Sequence, residues 1–99
     1  MKNENKFQPK VIEELEKRFP GCMVLKNDPT YIQGVPDLIV LIKKRWFALE
    51  TKRSKNEPHR PNQDYYVNKM NSMSGAWFVY PENLEEVMNA IQRSSKFKR

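Results

Sequence analysis

Two apolar runs, residues 38–42 (L-I-V-L-I) and 46–49 (W-F-A-L), are joined by the basic link Lys43-Lys44-Arg45. This spacing predicts a β-hairpin. Both runs are continuously apolar rather than alternating, so both faces of the hairpin should be covered. Upstream, Phe7, Val11, Leu15 and Phe19, with Ile12 beside them, recur at helical spacing and predict an amphipathic first helix ending near Pro20-Gly21. Residues 22–26 read as a first strand and residues 27–34, rich in turn formers, as a loop. Downstream, residues 53–61 form a polar loop, and Asn62 is placed to cap a second helix with the stripe Tyr66, Val67, Met70 and Met73. The methionines read as core filling. Residues 76–80 predict a last strand. Asn83 with Glu86 has the spacing of a capping box, opening a final helix with Leu84, Val87, Met88 and Ile91 on one face. The order is αβββαβα, without repeats or low-complexity segments, and periodicity does not turn it into a topology.

A chain of 99 residues makes one domain with a modest core. The formal charge of +6 and the isoelectric point near 9.6 favour a polyanionic partner, a generic solvated basic surface being the competing reading. The one cysteine, Cys22, lies in the apolar run C-M-V-L and reads as a buried thiol. It excludes an intramolecular disulfide and fits a reducing compartment. The start, M-K-N-E-N-K, has no apolar signal region, and no run reaches membrane-spanning length. The expectation is a soluble, cytoplasmic protein without a membrane partner. Residues 93–99 form a basic tail, expected to be flexible and to add non-specific affinity for nucleic acid.

The hairpin also places charges. If Ile42 pairs with Arg45 across a two-residue turn, Asp37 falls opposite Glu50. A loop one residue longer makes Asp37 face Thr51, with Glu50 on the diagonal. Glu50 and Lys52, two apart, share a face. Pro36 keeps Val35 extended and sets Asp37 at a strand's first residues. Two carboxylates and an ammonium thus converge at the open end of an apolar hairpin. Hard oxygen ligands beside a cation suit a hydrolytic Mg²⁺ site; the plainer reading is solvated charges at a strand end.

The P-D followed, after a hydrophobic strand, by E-x-K resembles the PD-(D/E)XK nuclease superfamily. With Q-G-V-P-D-L before it and P-N-Q-D-Y-Y after it, the chain resembles the VRR-NUC family, in particular its small standalone members from phages, over roughly residues 4–83. The resemblance implies a restriction-endonuclease-like α/β fold, a single-domain αβββαβα core with a central mixed sheet flanked by helices. It implies an endonuclease dependent on Mg²⁺ (or Mn²⁺) that hydrolyses phosphodiester bonds in branched DNA, four-way (Holliday) junctions above all. It would act as a homodimer, in the host cytoplasm if phage-encoded. The alternatives are a basic module that grips nucleic acid without cutting it, and a nuclease acting on flap or linear DNA.

Residue by residue, the resemblance assigns Asp37, Glu50 and the Thr51 carbonyl to the metal. Lys52 goes to the attacking water and the phosphate, and Gln63, otherwise an exposed first-turn residue, sits near that lysine. The family's first-helix glutamate matches Glu4 in E-N-K-F-Q. At about 100° per residue Glu4 falls within the apolar stripe and Glu14 at its margin. Pro9, comfortable only in a first turn, leaves open a helix that starts after Glu4, with Glu14 as the substitute. Arg53, Lys55, His59 and Arg60 leave the site and are candidate phosphate contacts, against a merely solvated loop. His59 could assist catalysis, a phosphate contact or an idle surface position being its plainer readings. Tyr31 either stacks on a nucleotide or packs over its own loop. Trp46, Trp77 and Met88 serve an interface or the core.

Overall fold

The computed structural model describes residues 6–28 and 30–95. Helix α1 runs Phe7–Arg18. Pro9 lies in its first turn, where a missing N–H leaves no hydrogen bond unmade. Val11 and Leu15 are completely buried, and Gly21, at φ 91°, turns the chain out of the helix. Strand β1 (Met23–Lys26) pairs antiparallel with β2 (Leu38–Ile42), and β2 with β3 (Arg45–Thr51). Helix α2 (Gln63–Met73) then carries the chain across to β4 (Gly75–Val79), which lies parallel to β3. A 3₁₀ turn, Pro81–Asn83, leads into α3 (Leu84–Ser95). The mixed sheet has the order β1-β2-β3-β4.

Ile42 does pair with Arg45, so the hairpin turn is Lys43-Lys44, with Lys43 at φ 57°. Leu38 pairs with Leu49, and one step further Asp37 comes opposite Glu50. The sheet divides the protein into unlike halves. On one face α1 and α3 bury Leu38, Val40, Leu49 and Val79 under Val11, Leu15, Met88 and Ile91. On the other, α2 covers a smaller cluster of Ala48, Ala76 and Val67, with Ile39, Trp46, Met70 and Phe78 around it. α2 does not extend over β1, where Met23 and Leu25 stay exposed, so only the β3 side of the hairpin is covered on both faces.

Several expectations need correction. Cys22 precedes β1 and is half-buried, its thiol donating to the Leu15 carbonyl (3.7 Å). β4 begins and ends one residue before the expected 76–80. Asn62 has φ 72° and makes no side-chain cap: the left-handed backbone departs from the extended geometry that aims a cap at the helix N–H groups. Met73 is exposed because the buried face of α2 is Gln63, Val67 and Met70, from which it is turned by roughly a quarter circle. The Asn83 side chain reaches backward, accepting from the Tyr80 N–H (2.8 Å) and donating to the Phe78 carbonyl (3.0 Å), rather than boxing with Glu86. Met88 is fully buried and unavailable to an interface. Residues 93–95 belong to α3, whereas 96–99 lie outside the described residues. Among the described residues no helix is long and apolar enough to cross a membrane.

Candidate active site

Where β3 ends, its side chains change from apolar to charged while remaining inside the protein. Glu50, Thr51 and Lys52 are 7%, 4% and 3% exposed. Burial of such groups is tolerable only with partners, and these have them. Asp37, at the entry to β2, accepts the Thr51 N–H (3.0 Å), the Thr51 hydroxyl (2.6 Å) and the Gln8 amide from the first turn of α1 (3.0 Å). Glu50 accepts Nε2 of Gln63 (2.9 Å). Oε1 of the same amide accepts the Lys52 ammonium (2.7 Å) and the Arg60 N–H (2.8 Å). Lys52 also donates to the Pro58 carbonyl (3.1 Å). Gln63 therefore locks the acid and the base of E-x-K at a fixed separation. An amide, donor at one end and acceptor at the other, is suited to bridge a carboxylate and an ammonium this way.

The electrostatics are unbalanced. Burial, then the charge of Asp37, push Glu50 up to about 7, against a weaker opposing pull from Lys52. Burial also raises Asp37, although its hydrogen bonds from Thr51 and Gln8 oppose this. The pair holds negative charge that the protein's own cation only partly offsets. These groups border a cleft of about 440 Å³. One wall is residues 33–35 and the other the loop after β3. The walls meet at Gly34 (φ 99°), where an added Cβ would lie 2.5 Å from Asn62 Cβ, so glycine is required.

The structure brings Asp37, Glu50, Thr51, Lys52, Gln63, Arg53 and Arg60 to this one cleft. Gln63, far from an exposed first-turn residue, is buried. Lys55 and His59 are not part of the cleft wall; His59 lies flat on Phe78 (ring centroids 3.9 Å apart) with Nδ1 2.7 Å from Asp64. Tyr31 is 83% exposed in its loop. Glu4 lies outside the described residues. Glu14 does not border the cleft; the α1 residue that reaches the site is Gln8, at the end of E-N-K-F-Q. Glu57 also escaped sequence reasoning: it accepts the Arg53 N–H and lies 3.5 Å from the Arg53 guanidinium, tempering the basic loop.

The site fits a hard cation. Two carboxylates with raised proton affinity, placed opposite one another at the open end of the hairpin, are what a divalent ion would relieve. Among the described residues no group of three or more His, Cys, Asp or Glu forms a ready cage. Two carboxylates would leave a bound ion with positions for water, as hydrolytic chemistry uses.

The fold recurs in solved structures. A VRR_NUC domain protein superposes with TM-score 0.64 over 97% of this chain and 92% of its own, at 16% identity. A second VRR_NUC domain gives 0.62 over 82% of this chain and 92% of its own, at 22% identity. The Holliday junction resolvase Hjc of Archaeoglobus fulgidus gives 0.54 over 77% of this chain and 67% of its own, at 13% identity. The chain thus has the α/β fold of VRR_NUC and Hjc structures, with a four-strand mixed sheet and three helices. No protein-family model and no curated protein matches the sequence.

Proposed function

We propose that this chain is a metal-dependent DNA endonuclease that hydrolyses phosphodiester bonds in branched DNA, four-way junctions foremost. The observation that carries this reading is the buried Glu50–Gln63–Lys52 bridge beside Asp37 in a cleft edged by Arg53 and Arg60. A binding module would gain nothing from burying carboxylates where a phosphate must approach. The fold likeness to a Holliday junction resolvase supports the substrate class.

Asp37, Glu50 and the Thr51 carbonyl would hold Mg²⁺ or Mn²⁺, which when bound supplies charge neutralisation and a more acidic water. Gln63 and Pro58 take two of the three Lys52 ammonium protons, leaving the third for the attacking water or a phosphate oxygen. Its positive charge, fixed in advance, opposes the charge that grows on the phosphate. Gln8 and Thr51 hold Asp37 in place, and Arg53 and Arg60 meet neighbouring phosphates.

Junction resolution needs two symmetry-related cuts, and one chain offers one site. A two-fold dimer duplicates it. The exposed Met23 and Leu25 on edge strand β1 support a second copy as the occupant of that face. The test is incubation with junction, flap, mismatched and linear DNA in Mg²⁺, Mn²⁺ or EDTA, alongside light scattering at micromolar protein. Symmetric nicks in junctions by a dimer, abolished by EDTA, are expected. Metal-independent binding without cleavage of any substrate would leave the binding-module reading in its place.

A further inference from the structure

His59 is held in a way that an idle surface residue is not. Its ring lies on Phe78 nearly parallel, at 14° and 3.9 Å. Its Nδ1 is 2.7 Å from Oδ1 of Asp64 in the first turn of α2. Both chain neighbours are also anchored: the Pro58 carbonyl accepts the Lys52 ammonium, and the Arg60 N–H donates to Gln63. Phe78 is the register partner of Glu50 on the adjacent parallel strand. The two side chains therefore share a face, about 4.8 Å apart at the backbone. The imidazole stacks on Phe78, on the strand beside the one that carries Glu50, and stands just outside the cleft wall.

The orientation sets the chemistry. A carboxylate accepts, so Nδ1 carries a hydrogen and Nε2 is left as the ring's exchanging position, without a partner among the described residues. The charged group that bonds to the ring is Asp64 on α2. A neutral ring in this orientation cannot donate to a phosphate, whereas a protonated one can deliver its Nε2 proton.

We propose that His59 is the general acid for the leaving oxygen, with Asp64 as its positioning residue; the inference rests on the nuclease reading of the cleft. As water oxygen bonds to phosphorus, the bond from phosphorus to the leaving oxygen breaks, and that oxygen departs as a hydroxyl with the Nε2 proton. The attacking water loses a proton to solvent, and solvent reprotonates the imidazole, so charge and atoms balance. Lys52 serves the attacking side, and His59 the departing side.

The test compares two four-way junctions in Mn²⁺, one ordinary and one with sulfur replacing the bridging oxygen that product analysis identifies as the leaving group. A thiolate leaves without protonation. His59→Gln should lower kcat on the ordinary junction about 100-fold but on the sulfur junction less than about threefold. Asp64→Ala should show a smaller loss with the same rescue, and Asp64→Glu should restore part of it. Equal losses on both junctions would make His59 a phosphate contact and overturn the proposal, as would full activity of His59→Gln. If the wild-type protein cuts neither junction while remaining folded, the nuclease reading falls and this one with it; cleavage by wild type with unrescued mutants refutes this one alone.

Discussion

The two faces of the sheet solve opposite problems. The face under α1 and α3 is apolar through its centre, with Val11, Leu15, Leu38, Val40, Leu49 and Ile91 at or near zero exposure. The face under α2 has small residues at its centre, Ala48 and Ala76, and then buries Glu50, Lys52 and Gln63. The first gains free energy from every buried methylene. The second holds charge in a low-dielectric setting against its tendency to neutralise. One face accounts for the fold and the other spends stability on a site. The parallel β3–β4 pair makes this possible, because the crossover through the 53–61 loop and α2 returns over the carboxyl end of β3.

The sharpest way to break the comparison is to move the cost to the apolar face. Leu15→Ala should destabilise by about 2–5 kcal/mol, measured by urea unfolding, a large part of a small domain's stability. It should lower activity only in proportion to the unfolded fraction. On the polar face the ranking reverses. Lys52→Met should cut turnover about 100- to 1000-fold while divalent-metal binding persists. Lys52→Arg should rescue poorly, because a planar fork does not reproduce a compact ammonium between Gln63 and Pro58. Activity of Lys52→Met at the wild-type rate would reduce Lys52 to a structural role.

The polar face should also write its cost into the pH dependence of stability. Glu50 titrates near 7 in the folded protein against an ordinary 4.5, so the native state binds the extra proton between these values. Its contribution is therefore fully present below about 4.5 and lost as pH rises through about 7, worth about 1–3 kcal/mol. Asp37, also raised, adds in the same direction. Urea midpoints in EDTA from pH 4.5 to 8.5 should fall for this reason, and Mg²⁺ should reverse the fall at the alkaline end. The smallest effect concerns the rim: neutralising Arg53, Lys55 and Arg60 together should flatten the salt dependence of DNA binding, by about 0.9 in log–log slope for each lost phosphate contact. An unchanged slope would move the binding surface elsewhere.

How much of this was legible in the sequence also follows the two faces. Helix α1, the hairpin and α3 could be read because hydrophobic period is a direct record of an apolar face, and the two-residue turn then brings Asp37 opposite Glu50. The polar face was readable only where a motif marked it. Gln8 looks like any first-turn polar residue until α1 is packed against the hairpin's open end. The His59–Asp64 pair spans the N-terminus of α2, and its stacking partner Phe78 comes from a strand that no local pattern links to the loop. Asn62 and Met73 misled for a related reason. Propensity treats one as a cap and periodicity the other as core, whereas the contact at Gly34 and the rotation of α2 decide both.

The central claim, that the α2 face trades stability for hydrolysis, is tested most directly by one variant measured twice. Glu50→Gln keeps an acceptor for the Gln63 amide and removes the buried charge. In EDTA at pH 8 it should melt at or above the wild-type temperature, and in Mg²⁺ it should cleave junctions about 1000-fold more slowly. A variant that cleaves like the wild type, or that loses activity only because it has lost stability, would contradict the account.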